Sequence, residues 1–238
     1  MELTEVMRTT PATREFTDDP VSDAAIGRLL ESARFAPSGG NRQPWRVIVV
    51  KDPAVRSAVR DHYVLGWREY SAYVAERRVP FAPDEHGHWD RHAVDLSAAR
   101  EHPRPDYFAD NLDRVPVMLL LCVDLTALAI LDNGLGRQSI VGGGSIYPFA
   151  HNLLLAARNE GLGGVITTII CREEGPLKLL LGIPEKYALA CMVVLGRPRR
   201  TITRLRRRPV LELATVDRFD GAAFDSAGFD GAEGASLP

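Results

Sequence analysis

The chain has 238 residues, of which 45% are hydrophobic and 25% are charged, and its formal net charge at pH 7 is −2. This is the composition of an ordinary soluble globular protein, with enough apolar side chains for one domain and a sizeable core. The slightly acidic balance argues against a nucleic-acid-binding protein that works through bulk positive charge, and no apolar run reaches the length of a membrane span.

The start of the chain and its cysteines both predict a cytoplasmic protein. Residues 1–5 are MELTE, which is acidic, whereas a secretory signal peptide begins with basic residues and continues with apolar ones. The three cysteines, Cys122, Cys171 and Cys191, lie in or beside apolar runs and are far apart in the sequence. Their odd number and their placement predict buried, reduced thiols rather than disulfides.

Hydrophobic periodicity predicts a mixture of helices and strands. The predicted helices cover residues 2–8, 24–35, 53–73, 146–159 and 174–181. The predicted strands are short apolar or β-branched runs at residues 47–50, 117–123, 165–171 and 187–195. Ser22 and Ser145 are the expected N-caps of the helices that follow them. Because these elements do not alternate strictly as strand, helix, strand, the sequence predicts an α+β fold.

Two segments stand apart from this pattern. From about residue 78 to residue 107 the periodicity weakens, and we interpret this segment as an excursion that forms a lid or rim. The end of the chain, rich in Gly, Ala and Asp, is predicted to be disordered or loosely packed. The predicted organisation is therefore one domain over residues 1–215, including the 78–107 excursion, and a tail over residues 216–238.

The excursion contains three histidines, at positions 86, 88 and 92, that could be drawn as a metal cluster. Their spacing matches no zinc-binding pattern, and zinc sites depend on closely defined ligand spacing. The sequence therefore predicts no metal site.

A polar loop, APSGGNRQPW, occupies residues 36–45 between a predicted helix and a predicted strand. Gly39 and Gly40 let the backbone turn and bring N–H groups close to a ligand, and Trp45 offers a rigid apolar wall. Short neutral hydrogen-bonding groups come from Ser38, Asn41 and Gln43. Such a surface suits a flat, phosphate-bearing ring system better than a metal ion or a nucleic-acid duplex.

This loop resembles the flavin loop of the nitroreductase family, which reads Ala-Pro-Ser, two variable positions, Asn, one variable position and Gln-Pro-Trp. The resemblance implies an α+β nitroreductase-like fold, with a central, mostly antiparallel sheet flanked by helices, in an interlocked homodimer. It also implies an FMN cofactor at the subunit interface. The FMN contacts that it implies for this loop are Pro37, Ser38, Gly39, Asn41 and Gln43.

A second similarity lies near the start of the chain, at residues 9–16, TTPATREF. Nitroreductases have a similar element, Arg-Arg-Ser-x-(Arg or Lys)-x-Phe, of which Arg14 and Phe16 are matched here. The resemblance places Arg14 at the pyrimidine edge of the flavin, where a cation stabilises the reduced, anionic ring. The alternative for Arg14 is a surface ion pair with Glu15 or Asp18.

Residues 10–12 depart from this family element, because Thr-Pro-Ala replaces the two leading arginines and the serine. The family uses those residues to hold the flavin phosphate. Arg8 is the expected replacement for the missing contact, and Thr9 is the alternative.

Two further similarities lie in the second half of the chain. Residues 152–168 resemble the family helix and strand whose backbone N–H contacts flavin N5, which implies that role for Thr167 and Thr168. The basic run at residues 204–209 resembles the family element that reaches the flavin phosphate, and Arg207 aligns best. Locally, a plain helix–strand unit and a solvated basic edge would explain these segments equally well.

The resemblance implies an FMN-dependent oxidoreductase in which NADH or NADPH gives a hydride to flavin N5 and leaves. An electron-poor acceptor, nitroaromatic or quinone-like, then takes its place, and no side chain acts as a catalytic group. One subunit would supply residues 37–39, and its partner Arg14, Thr167, Thr168 and Arg207. Alternatives are a dehalogenase, an ene-reductase, a flavin-fragmenting enzyme or a non-catalytic flavin-binding protein. The expected partners are a second copy and small molecules, without nucleic acid or membrane.

Overall fold

The computed structural model describes residues 1–84, 87–90, 92–102 and 104–225. The chain divides into two compact units, of which the first covers Met1–Thr203 and the second begins at Arg204. In the second unit a 3-10 turn spans Val210–Glu212, and Thr215 forms an antiparallel bridge with Ala223. The predicted limit at residue 215 stays a prediction, and residues 226–238 of the predicted tail lie outside the described residues.

The first unit contains all the α-helices and all the strands of the described residues. The helices are α1 (Leu3–Arg8), α2 (Asp23–Ala33), α3 (Pro53–Ala75), α4 (Leu96–Glu101), α5 (Tyr107–Asp110), α6 (Tyr147–Asn159) and α7 (Glu174–Leu181). The strands are β1 (Trp45–Val49), β2 (Val117–Asp124), β3 (Gly163–Thr167) and β4 (Tyr187–Gly196). None of these helices has both the length and the apolar character that crossing a bilayer requires.

The four strands form one sheet in the order β1-β2-β4-β3, and every neighbouring pair is antiparallel. Two rows of paired residues cross all four strands, one from Ile48 through Leu120 and Met192 to Thr167, and one from Val49 through Leu119 and Val193 to Ile166. The sheet is flanked by helices on both faces, so the predicted α+β architecture with an antiparallel sheet is confirmed.

Both faces of the sheet are covered because β2 and β4 are apolar at nearly every position. On one face, Leu120 and Met192 pack with Val59 of α3. On the other face, Leu119 packs with α2 and with Leu153 of α6. Fully burying one such side chain contributes about 1.5–3 kcal/mol. The two central strands therefore read as continuous apolar runs in the sequence rather than as alternating patterns.

Helix ends follow local sequence signals closely. The Ser22 side chain accepts a hydrogen bond from the Ala25 N–H, as the sequence predicts for an N-cap. The predicted helix at residues 174–181 is confirmed at both ends and stops at Gly182, which has a left-handed backbone. Within the predicted excursion, α4 forms behind an Asp95 side chain that accepts the Ala98 N–H.

The prediction of a strand over residues 165–171 is wrong in its second half. The strand β3 ends at Thr167, and Ile169–Glu173 forms a 3-10 turn instead. The apolar residues of this turn pack onto α3 and against the sheet, where Ile170 is fully buried. A short apolar run has the same sequence pattern whether it is buried as a strand or as a turn.

The prediction that Ser145 caps α6 is also wrong. The N-cap position belongs to Ile146, and α6 has no side-chain cap. The Ser145 hydroxyl instead accepts a 3.1 Å hydrogen bond from the Gly39 N–H, 106 residues away. Ser145 therefore bonds to a residue that is distant in the sequence instead of to the first turn of α6.

Candidate functional site

The loop before β1 is held in an unusual backbone conformation by its own side chains. Gly40, Asn41 and Gln43 have φ angles of 60°, 52° and 49°, in the left-handed region that non-glycine residues rarely occupy. Ser38 Oγ accepts the Gln43 N–H at 3.0 Å, and the Gln43 amide nitrogen donates to Asn41 Oδ1 at 3.1 Å. Backbone strain of this kind is concentrated at ligand-binding sites in proteins.

The loop is exposed to solvent but attached firmly to the core. The Gly39 N–H bonds to Ser145, and the Trp45 ring stacks on Phe149 of α6 with 5.0 Å between ring centroids. Pro37 and Gly39 are exposed, and Ser38 is half-buried. The Trp45 ring, which the sequence predicts as a wall of the site, is therefore partly used to anchor the loop.

A second group of predicted residues gathers at the far edge of the sheet, because the start of the chain runs along β3. Ala12 bridges to Gly164, and the Thr13 N–H donates to the Gly164 carbonyl at 2.8 Å. At Gly163 an added Cβ would lie 2.7 Å from Thr13 Oγ1, so this approach requires glycine. Arg14 follows directly and lies near the end of β3.

The end of β3 presents an exposed backbone donor. Thr167 is buried, whereas Thr168 is exposed, and the Thr168 N–H has no acceptor among the described residues. The Tyr63 hydroxyl of α3 lies 3.1 Å from Thr167 Oγ1. Burial raises the pKa of Tyr63 to about 12, although its hydrogen bond to Thr167 and the charge of Arg14 oppose this. Tyr63 is therefore a neutral phenol at ordinary pH.

The two predicted N-terminal cations are exposed and unpaired. Within the described residues, neither Arg8 nor Arg14 forms an ion pair or a hydrogen bond, so the alternative ion pair of Arg14 is absent. The Thr9 hydroxyl is buried and already engaged, since it donates to the Glu5 carbonyl and accepts from Arg158 Nε at 3.0 Å. Of the two candidates for the missing phosphate contact, Arg8 is the available one.

Arg14 also lines a small cavity of about 180 Å³ that the end of the excursion helps to form. Tyr107, Asn111 and Arg114 also line this cavity. The 78–107 excursion thus contributes to the surroundings of Arg14, although it carries none of the predicted site residues.

The structure brings Arg14, Thr167 and Thr168 together but separates them from the loop before β1. The loop precedes one edge strand of the sheet and Thr167 ends the other, three strand spacings away. Three spacings amount to roughly 14 Å. Arg207 belongs to the second unit, where its side chain donates to the Arg206 carbonyl at 2.8 Å. A role for Arg207 at the phosphate stays a prediction.

Sequence reasoning missed a buried ionic cluster beside the turn after Thr168. Glu69 of α3 and Glu173 are only 1% and 5% exposed. Arg100 of α4 donates to both carboxylates, and Arg172 donates to Glu69 at 2.7 Å. Burial alone would raise the pKa of Glu69, but the hydrogen bonds from Arg172 and Arg100 outweigh it and hold that pKa below its usual value. No motif marks these residues, which are isolated charges in the sequence.

Other reactive side chains offer no competing site in the part of the chain that the structure describes. No group of three metal-binding side chains comes together there, and His86 of the histidine cluster lies outside the described residues. The three cysteines are free, and burial raises the pKa of Cys171 and of Cys191 to about 12. These thiols stay protonated and are poor nucleophiles.

Comparison with known proteins gives the same assignment along most of the chain. The model of the Nitroreductase family matches residues 7–197. A 5,6-dimethylbenzimidazole synthase of Rhodobacter capsulatus is 41% identical over 203 residues, which is 84% of this chain and 84% of that protein. Iodotyrosine deiodinase 1 of Rattus norvegicus is 28% identical over 210 residues, or 87% of this chain and 66% of that protein.

A solved structure shares the fold. The NADPH:FMN oxidoreductase of Vibrio harveyi, complexed with NAD+, has a TM-score of 0.61 and 18% sequence identity, and the match covers 91% of this chain and 77% of that one. The family match covers the loop before β1, Arg14 and the end of β3. This chain belongs to the nitroreductase family.

Proposed function

We propose that this protein is an FMN-dependent oxidoreductase that passes a hydride from NADH or NADPH to an electron-poor acceptor. One observation carries the proposal. Apart from Arg207, the residues that match the family's flavin contacts form two groups at opposite edges of the sheet. Each group has a conformation or, within the described residues, an unpaired donor that suits a ligand.

The chemistry of the available donors fits FMN. Arg8 and Arg14 are exposed guanidinium groups without a partner in the described chain, and guanidinium groups suit phosphate oxygens and carbonyl edges. Within the described residues the Thr168 N–H has no acceptor, so it can donate to a ring nitrogen. In the strained loop at residues 38–43, the side chains of Ser38, Asn41 and Gln43 form hydrogen bonds within the loop. Gly39 and the preceding Pro37 are exposed.

The separation of the two groups supports a homodimer. Roughly 14 Å of sheet lies between the loop and Thr167, so the two groups of one copy lie at opposite edges of the sheet. If a second copy packs with its loop against the Arg14 edge of the first, each FMN is held by Pro37, Ser38, Gly39, Asn41 and Gln43 of one copy. Arg8, Arg14, Thr167 and Thr168 of the other copy complete the site.

In this proposal FMN supplies the hydride chemistry when bound, and the protein binds, orients and polarises it. Arg14 would hold the flavin and supply a positive charge that stabilises its reduced, anionic form. The Thr168 N–H would donate to the ring and orient it for hydride transfer. No side chain is assigned as an obligatory acid or base, because solvent reaches this exposed edge and can supply protons.

The test begins with the visible spectrum of the purified protein and identification of the chromophore that it releases. We expect a yellow protein that releases FMN, or a colourless one that becomes yellow on titration with FMN. Anaerobic mixing with NADH or NADPH should then bleach the flavin absorbance, and a nitroaromatic or a quinone should restore it. A protein that binds no FMN, or whose bound FMN neither donor bleaches, contradicts the proposal.

A second candidate is a reaction on the flavin itself, of the kind that forms 5,6-dimethylbenzimidazole. The specific observation in its favour is the 41% identity with a protein of that name over 84% of both chains. Aerobic incubation with FMN and excess NADPH, followed by chromatography against authentic 5,6-dimethylbenzimidazole, distinguishes the two. Product formation with net consumption of FMN favours flavin breakdown, and constant FMN with turnover of an added acceptor favours the oxidoreductase.

A further inference from the structure

One face of helix α3 contacts the segment around Thr168 at evenly spaced points. Tyr63, Gly66 and Glu69 are three residues apart, so they lie in a row along one side of the helix. The Tyr63 hydroxyl lies 3.1 Å from Oγ1 of Thr167, the residue before Thr168. This contact fixes the end of β3 relative to the helix.

The next two contacts lie beyond Thr168. At Gly66 an added Cβ would lie 2.8 Å from Cγ2 of Ile169 and 3.1 Å from its carbonyl oxygen, so any larger residue would displace the turn. One helical turn further on, Glu69 accepts a 2.7 Å hydrogen bond from Nε of Arg172. Thr168 is therefore flanked on both sides by residues that α3 holds.

The excursion is attached to the same contact surface. Arg100 of α4 donates to Glu69 at 2.6 Å and also to Glu173, and its carbonyl accepts from Arg68 at 2.6 Å. The Arg172 guanidinium lies 4.9 Å from the centre of the Trp89 ring, which belongs to the excursion. Because both carboxylates are buried, breaking these ion pairs leaves an uncompensated charge in the interior.

We propose that Tyr63, Gly66 and Glu69 are positioning residues that hold the Thr168 N–H in place for its ring contact. They act through Thr167, Ile169 and Arg172 and touch neither the cofactor nor the reacting atoms. Arg100 connects these residues to the excursion through Glu69. The Glu69 carboxylate therefore holds both the excursion, through Arg100, and the turn after the Thr168 N–H, through Arg172. The inference rests on the proposed function, because FMN is the group that the Thr168 N–H is proposed to contact.

The main test compares two glycine-to-alanine substitutions in helices. Gly27 lies within α2, where an added Cβ meets nothing within 4 Å, whereas at Gly66 it meets Ile169. Gly27→Ala should keep the FMN affinity and the reduction potential of wild type. Gly66→Ala should bind FMN about tenfold more weakly, the effect of losing one well-placed hydrogen bond. Its bound FMN should have a more positive potential, because oxidised flavin accepts a hydrogen bond at N5 and reduced flavin carries a hydrogen there.

A milder pair keeps the test valid if Gly66→Ala does not fold. Tyr63→Phe removes only the hydroxyl that contacts Thr167, and Tyr70→Phe removes a hydroxyl with no hydrogen bond among the described residues, seven positions along the same helix. Tyr63→Phe should speed amide hydrogen exchange over residues 163–173 without FMN present, and should weaken FMN binding severalfold with a shift of potential in the same direction. Tyr70→Phe should match wild type.

The outcomes separate the inference from the function on which it rests. If wild type binds no FMN, the proposed function fails. If wild type binds FMN and the Gly66 and Tyr63 variants match their controls in affinity and potential, the positioning role is overturned and the proposed function stands. Faster exchange over residues 163–173 with an unchanged potential also overturns it, because the contacts would then be structural only.

Discussion

The two edges of the sheet are built in different ways. At the β1 edge, the loop over residues 38–43 takes its backbone turn from hydrogen bonds between residues at most five positions apart, and one further bond, from Gly39 to Ser145, attaches it to the core. At the β3 edge, the turn after Thr167 takes its shape from Tyr63, Glu69 and Arg100. Their contacts with Thr167, Arg172 and Glu173 join residues 104, 103 and 73 positions apart. Local bonds leave a recognisable sequence motif, whereas long-range bonds do not.

The difference also extends to charge. The loop uses neutral side chains that remain near solvent, so the loss of one bond exposes a group that water can satisfy. The turn depends on buried carboxylates between guanidinium groups, where the loss of one partner leaves the others unpaired. Damage at the β3 edge should therefore cost more stability than damage at the β1 edge, and the following predictions test this.

The largest expected effect is that of Glu69→Gln. Its amide cannot compensate the charges of Arg100 and Arg172, and we expect the free energy of unfolding to fall by about 3 kcal/mol, because the two guanidinium groups are partly exposed and retain some solvation. Urea denaturation followed by circular dichroism measures this change. The matched control is Glu76→Gln at the end of the same helix, where an exposed pair with Arg78 should change the value by less than about 0.5 kcal/mol. Equal effects of the two substitutions would contradict the comparison.

Arg14→Ala should affect the ligand rather than the fold. The side chain is exposed and has no partner in the described chain, so the unfolding free energy should change by less than about 0.5 kcal/mol. If the proposed function is correct, FMN should bind about 10- to 100-fold more weakly, as expected for the loss of a charged hydrogen-bond donor, and its reduction by NADH or NADPH should slow. Fluorescence titration and stopped-flow absorbance measure these two quantities. Unchanged affinity together with an unchanged rate would remove Arg14 from the site.

Acid should weaken the β3 edge, although by less than Glu69→Gln does. The pKa of Glu69 in the folded protein is held below its ordinary value of 4.5 by Arg172 and Arg100, so the unfolded chain binds more protons than the folded one as the pH falls. The stabilisation from this carboxylate is therefore complete above about pH 5 and is lost as the pH falls through its folded pKa. Unfolding measured between pH 6 and pH 3 should show a shallower loss in Glu69→Gln than in wild type, and parallel curves would refute this assignment.

The smallest expected effect is that of Ser145→Ala, which removes the acceptor for the Gly39 N–H. The cost should be about 1 kcal/mol, the usual contribution of one hydrogen bond, because water can reach Gly39 in the exposed loop. Ser32→Ala is the control, since that exposed hydroxyl donates only to the Arg28 carbonyl of its own helix, α2. Thermal unfolding of the two variants measures the difference. A loss of more than about 3 kcal/mol for Ser145→Ala would mean that the loop is no less dependent on buried contacts than the turn.

The amino-acid sequence by itself determined the fold class, the limits of most helices and strands and the family. It did so because these depend on periodicity, caps and a contiguous motif such as residues 36–45, all of which are local. It did not show that β3 ends at Thr167, because an apolar turn packed on α3 and a buried strand have the same apolar pattern. It also did not show that Ser145 bonds to Gly39 rather than capping its own helix.

Only the tertiary structure brought Arg14 to the end of β3, set Tyr63 against Thr167, and buried Glu69 and Glu173 between Arg100 and Arg172. Each of these contacts joins residues that are distant in the chain and individually ordinary in type. Their energies arise from burial and from the exclusion of water, which depend on the packed chain as a whole. The chemistry of the candidate site can therefore be read from its motifs, while the groups that hold it in position become visible only in the folded protein.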